Sequence, residues 1–358
     1  MDLSIFDILE TLFPIYCSAC IVQRMIALRR QEVKMIKYSV ILGNLGNTCD
    51  RFLSTGYKDI APMETLVKQA SEIDGVKGLE LVGTWDITMD TTESVGELLE
   101  KYNLKCVSII PDHFSQKRWG RGTLAAKNED TRKAALDYTL ECVEMARKIG
   151  CPTLNIWPGQ DGYDYHLQSD LVSERRWLIE NLKTIAESAP DIRFALEYKP
   201  KEPRNYSFLA RASDTLLAVK EIGLENIGVT IDTGHSIIAG ENVSEAVVIL
   251  QEYGKKLFHL HFNDNYGGWD DDMIVGSVHF PLYVELMYWL KETGYNGWYS
   301  MDQYPYREDG KGAIEASVKY LQMIDRILDG KTVKELRELI QKGDNVATQN
   351  WLRETFFR

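Results

Sequence analysis

The sequence predicts an α/β protein built as a (β/α)8 barrel of the TIM type, with a C-terminal helical extension. Two patterns carry that expectation. From Lys37 on, short β-branched or aromatic runs alternate with longer stretches whose apolar residues recur at three- and four-residue steps. Glycine closes several of the longer stretches, as in Lys148-Ile149-Gly150, Glu221-Ile222-Gly223, Glu252-Tyr253-Gly254 and Glu292-Thr293-Gly294. That is where a left-handed helix cap needs it. Eight strand-then-helix units in roughly 290 residues match a closed barrel. The rival, a doubly wound sheet, lacks its fingerprint: Gly43-Asn44-Leu45-Gly46 is a loop with glycines and not G-x-G-x-x-G.

The expected strands, in order, are Tyr38–Leu42, Gly78–Val82, Cys106–Ile110, Thr153–Trp157, Arg193–Tyr198, Gly228–Asp232, Phe258–Phe262 and Tyr299–Gln303. Helical periodicity is clearest over Thr131–Ile149, Leu171–Ser188, Val243–Tyr253, Tyr283–Thr293 and Ala313–Leu328. Residues 35–330 make up the barrel. Residues 331–358 form a helical tail, with a charged helix at Val333–Gln341 and apolar Trp351, Leu352, Phe356 and Phe357 beyond it. Apolar residues in a polar tail imply docking, on the barrel or on a neighbouring subunit. Residues 1–34 stand apart. Their charges balance, their apolar run Leu12–Val22 is too short for a bilayer, and acidic residues come first, unlike a secretory signal. Gln31-Glu32-Val33 is encodable as a ribosome-binding sequence ahead of Met35, so the segment reads as a translated leader; the alternative is an N-terminal helix used in oligomer contacts.

Of the 358 residues 44% are hydrophobic and 26% charged, enough for a large core and wrong for a disordered or collagenous chain. The formal net charge of −12 argues against nucleic acid as the main partner. No apolar run reaches about 18 residues, so no membrane span is expected. Six cysteines, scattered apart from Cys17-x-x-Cys20, fit a reducing cytoplasm better than a disulfide scaffold.

In such a barrel the C-terminal strand ends converge on one face. The last four strands each end in a metal-ligand type: Glu197, Asp232, His261 and Asp302, separated by 35, 29 and 41 residues, one repeat unit each. One Asp at a strand end is ordinarily a helix cap. Four consecutive units with ligand types at the same end form a set, and buried carboxylates call for a cation. The mixed oxygen and nitrogen donors suit Mn2+ first, with Co2+, Mg2+ or Zn2+ as alternatives. His235, Asp270 and Asp272 form a second group. Alternation points Asp270 and Asp272 the same way if the segment is extended, and Glu197 would bridge two ions.

These residues resemble the xylose-isomerase-like barrel superfamily, and within it the L-rhamnose isomerases. The resemblance rests on Glu197-Tyr-Lys199, Asp232-Thr-Gly-His235, His261, Asp270-Asp-Asp272 and Asp302. It implies an aldose–ketose isomerase acting on an unphosphorylated sugar, with no organic cofactor. Lys199 would stabilise charge on the sugar O1, and a water oriented by Asp302 or Asp270 would relay the hydroxyl proton. It also implies a homo-oligomer. Two relatives with similar chemistry are the alternatives: the barrel subunit of C-glycoside deglycosidases, which works with a small β-protein partner, and the ketose 3-epimerases, which generally have Glu where this chain has Asp302. A barrel that only binds sugar is disfavoured by the intact ligand set. Around the mouth, His113 after the third strand is a candidate acid/base for ring opening. Trp157 and Trp85 are candidates for stacking on a sugar's C–H face, and His259, His279 and Arg307 for substrate contacts. No cluster of Lys or Arg stands out as a phosphate grip.

Overall fold

The computed structural model describes residues 36–46, 53 and 56–357. The expected leader, residues 1–34, and Cys17-x-x-Cys20 lie outside the described residues. Eight parallel strands close into one barrel: β1 (Lys37–Ile41), β2 (Val76–Val82), β3 (Lys105–Ile110), β4 (Thr153–Ile156), β5 (Arg193–Glu197), β6 (Ile227–Asp232), β7 (Leu257–Phe262) and β8 (Trp298–Met301). β8 pairs back onto β1, with Val40 opposite Met301. Each expected strand is present, within two residues at either end.

The main helices follow their strands: α1 (Met63–Glu72), α2 (Thr92–Lys101), α3 (Glu129–Ile149), α4 (Leu171–Ser188), α5 (Ala212–Ile222), α6 (Val243–Val248), α7 (Phe280–Glu292) and α8 (Gly310–Ile327). α6 widens into a π-helical turn over Ile249–Gly254, where the periodicity predicts a single continuous helix. Alternation sorts the strand residues. In β2, Leu79 and Leu81 are fully buried toward the helices, and the intervening Glu80 turns into the barrel, where it meets groups from β3 and β7. Truncating one such buried leucine to alanine costs about 2–5 kcal/mol.

Two further helices, α9 (Gly330–Lys342) and α10 (Asn345–Phe356), follow α8. Asp329 starts α9 with a reciprocal capping box to Thr332. The apolar end of the tail docks on the barrel: the Phe356 and Phe357 rings lie 5.4 and 5.3 Å from Phe280 at the start of α7. Among the described residues no helix is long and apolar enough to cross a membrane.

Candidate metal centre

Strand register builds the centre. Glu197 closes β5 opposite Thr230, and Asp232 closes β6 opposite His261 on β7. Ser300 on β8 also pairs with His261, which puts Asp302 just beyond the same rim. One ligand-type atom each from Glu197, Asp232, His261 and Asp302 lies within 4.8 Å of the others, and Asp232, His235 and Asp270 meet the same limit as a second group. Asp232 therefore belongs to both groups. The sequence reading gives that bridging place to Glu197, whose Oε1 is 3.2 Å from His235 Nδ1. Asp232 is also the helix cap its position invites: its Oδ1 accepts the His235 N–H at 2.8 Å, and its Oδ2 accepts from Asn263 at 2.7 Å. Gly234 is needed beside it, because a Cβ there would sit 2.0 Å from Asn263 Oδ1.

Both histidines turn one nitrogen to a fixed partner and the other to the carboxylates. His261 Nε2 faces Glu80 Oε1 at 3.3 Å, while its buried Nδ1 lies 3.2 Å from Asp302 and 3.4 Å from Glu197 and forms no hydrogen bond. His235 Nδ1 faces the Tyr198 carbonyl at 3.0 Å and its Nε2 faces Asp270 at 3.2 Å. A partner on one ring nitrogen leaves the other's lone pair for a ligand, which is how metal-binding imidazoles are held. Glu197 is steadied by Asn155, which donates at 2.7 Å and accepts from Thr230 at 2.6 Å.

The charges ask for a cation. Burial, reinforced by Asp302, Asp270 and Glu197, pushes the Asp232 carboxyl up to about 7 despite His235. Burial and the nearby Asp270 and Asp302 carboxylates also push Asp272 well up. Burial opposes charge on Glu197 as well, but His261 and His235 hold it below the usual carboxylate range. Burial likewise opposes charge on both histidines, and the surrounding carboxylates overcome it and raise them. Five clustered carboxylates, at 197, 232, 270, 272 and 302, exceed what the histidines and Lys199 offset. With the unbonded His261 Nδ1 and Asp302 Oδ1, the donor set fits a hard or borderline divalent ion.

Lys199 is buried, 2.7 Å from Asp270 and 3.0 Å from Glu202. Burial works against its charge, but Asp270, Glu202 and Asp272 outweigh it and raise the ammonium's pKa. Its Nζ lies 5.0 Å from the Trp157 ring centre. Trp157 also packs near His235, at 6.4 Å, and against Phe114, at 4.8 Å, and Trp85 meets Phe114 edge-on at 5.5 Å. An aromatic wall thus faces the carboxylates, through a Phe114 that sequence reading passes over.

The remaining expected residues lie in differing surroundings. Asp270 and Asp272 do not alternate along an extended segment, because Asp272 adopts a left-handed φ of 52°. His113 is fully buried behind β3, with Nε2 3.1 Å from Thr139 on α3 and its ring against Trp119 and Tyr138. Burial pulls its pKa down to about 4, which leaves it a packed neutral group. His259 sits a layer beneath His261, 2.7 Å from Glu80, and supports the centre from inside the barrel. His279 is held by Asp264 at 2.8 Å at the start of α7. Arg307 lies over the Tyr57 ring at 4.8 Å. Glu80 is the main omission: fully buried, it joins His259 and His261 and accepts from Ser108. The signal was present, a single acid inside the apolar run Leu79-Glu80-Leu81-Val82.

A family model described as xylose isomerase-like TIM barrel matches residues 67–324. The xylose isomerase of Thermus thermophilus is 26% identical over 253 residues, 68% of this chain and 65% of that protein. This chain thus spans about two thirds of the length of that isomerase. An uncharacterized protein of Methanocaldococcus jannaschii is 29% identical over 262 residues, 71% of this chain and 83% of that protein. Among solved structures, a D-tagatose 3-epimerase-like protein superposes with a TM-score of 0.64 at 25% identity, covering 82% of this chain and all of that one. An L-ribulose 3-epimerase shares the fold, with a TM-score of 0.65 at 12% identity over 86% of this chain and 98% of that one.

Proposed function

This chain belongs to the xylose isomerase-like TIM barrel family, and we propose that it is a divalent-metal-dependent sugar isomerase interconverting an aldose and a ketose. The observation that carries this reading is the convergence of Glu197, Asp232, His261 and Asp302, from or beside four consecutive strands, on one point at the barrel rim. A cation held there supplies Lewis acidity toward a sugar carbonyl and the hydroxyl beside it. The chain's own groups do the rest. Lys199, kept as an ammonium by Asp270 and Glu202, donates a hydrogen bond to the sugar oxygen that gains negative charge. A water oriented by Asp302 or Asp270 relays the O2 hydroxyl proton to O1, while the hydrogen on C2 passes to C1, either with its bonding electrons or as a proton through an enediol. Trp157, Phe114 and Trp85 cover the apolar face of the sugar and keep water from it.

A second reading, a ketose 3-epimerase, is favoured by the full-length likeness to the D-tagatose 3-epimerase-like structure. It uses the same ligands but moves a proton at C3.

One experiment separates the two. Aldoses and ketoses are screened with added Mn2+ or Co2+ in deuterated water. Aldose–ketose conversion supports isomerisation, with unlabelled product marking a hydride shift and label at C1 or C2 marking an enediol. Label confined to C3 of a ketose marks the epimerase. Full activity after exhaustive chelation, or no turnover of any sugar with metal present, refutes both.

A further inference from the structure

Residues from the loops after β3, β4 and β5 line an open cavity of about 1040 Å3. Five cations line it, Lys117, Arg118, Arg121, Lys127 and Arg204, against two carboxylates, Asp164 and Glu174. Glu174 lies 3.6 Å from Lys127, and Asp164 pairs with Arg204 at 3.0 Å. Lys117, Arg118 and Arg121 have no carboxylate partner among the described residues; Arg118 lies over the Trp119 ring at 4.1 Å. Lys117, Arg118 and Arg121 thus bring positive charge with no acidic partner to one cavity, in a chain whose net charge is −12. Arg204 adds an independent sign: its buried Nε forms no hydrogen bond. An unmet buried donor is destabilising, and a guanidinium fork matches oxyanion geometry.

The cavity is framed in advance. Buried Asp161, after β4, accepts the Thr123 N–H at 2.5 Å and its hydroxyl at 2.7 Å, tying the loop after β3 to the loop after β4. Tyr163 pairs with Tyr206 across a two-residue antiparallel ladder, tying in the loop after β5. The same three loops carry Phe114, Trp157 and Lys199, so the cavity belongs to the barrel face that bears the candidate metal centre.

We propose that this cavity binds a phosphate group. Four of its five cations, Lys117, Arg118, Arg121 and Lys127, come from the loop after β3, and the fifth, Arg204, comes from the loop after β5. The phosphate is either the distal end of the sugar substrate or part of a separate small molecule bound beside the mouth.

The test titrates inorganic phosphate into the full chain by calorimetry, after divalent ions are removed so that the carboxylate cluster cannot capture phosphate through a cation. Saturable binding that weakens with salt is expected, and K117E/R121E weakens it by about tenfold or more. Both positions are exposed, and the neutral pair K117Q/R121Q, expected to weaken binding less, separates loss of attraction from added repulsion. Absence of saturable binding to the wild type, or unchanged binding in both variants, overturns the proposal. Hexose phosphates read the same way assign the source. Affinity above that of inorganic phosphate marks the substrate's own phosphate, and equal affinity marks a separate ligand; the cavity is an anion site in either case. Phosphate binding without sugar turnover leaves this site standing and removes only the isomerase reading.

Discussion

Strands β1, β2 and β3 end in Ile41, Val82 and Ile110, which pack on one another and carry the Phe114 ring, whereas β5 to β8 end in or beside Glu197, Asp232, His261 and Asp302. The apolar strand ends need no charged partner, because burying their side chains is itself favourable at about 25 cal/mol per Å2. The acidic half does, because each buried carboxylate costs several kcal/mol until a partner repays it. Its repayment is visible in Asn155, Asn263, His235, His261 and Lys199. In the proposed isomerase the two halves divide the work: one gathers charge for chemistry, and the other offers a dry surface on which charge acts strongly.

The largest effects come from removing charge on the acidic side. Glu197→Gln or Asp302→Asn is expected to lower turnover by about 100-fold or more, since either change takes a charged donor from the set on which the reaction depends. His279→Ala, whose ring is tied to Asp264 away from that set, is expected to change turnover far less. Steady-state kinetics with saturating Mn2+ measures both. Activity retained in the first two variants would mean that the cluster is structural.

Glu80 is where the division between halves breaks. It comes from β2, yet it reaches His259 at 2.7 Å and His261 at 3.3 Å on β7. It holds the face of His261 opposite the one that meets Glu197 and Asp302. Glu80→Gln keeps the shape and loses the charge. Mn2+ affinity, read by calorimetry on folded protein, should fall about 10- to 100-fold. Unchanged affinity would mean that His261 is oriented by packing alone.

What the sequence discloses follows the same line. The eight strands are legible because β-branched runs recur between helical periods, and the four rim ligands are legible because they stand at strand ends, where a barrel places functional groups. Glu80 escapes that rule because it stands inside its strand, where its inward direction depends on the pairing register. Asp272 departs from the expected alternation because its left-handed φ is set by the loop. His113 follows a strand end as a catalytic group would, and only the packing of α3 over it reveals its burial.

His113 sharpens the comparison at a smaller scale, since it lies in the first half and outside the carboxylate cluster. Its folded pKa, about 4, is below the usual 6.5 because burial disfavours the charged ring. Between those values the unfolded chain binds the proton and the folded chain does not. The stability contribution is therefore complete above pH 6.5 and is lost as pH falls toward 4. From pH 7 to pH 5 the loss is about 2 kcal/mol. Denaturant unfolding of wild type and His113→Gln across that range should diverge by this amount, with the variant's curve flatter. Parallel curves would place the ring in contact with water.

The smallest expected effect belongs to the aromatic wall, and it tests whether the apolar half contributes to binding at all. Phe114 touches both Trp157 and Trp85 and rests on Ile41, Val82 and Ile110. Phe114→Leu keeps most of the apolar volume and removes the ring that orients its two neighbours, an interaction worth about 0.5–1.5 kcal/mol. If the wall only covers the sugar, the loss is felt equally in ground and transition states, so KM should rise about fivefold with kcat unchanged. A fall in kcat at constant KM would instead mean that the ring sets the position of Lys199 through Trp157, and the two halves of the mouth would then work as one unit.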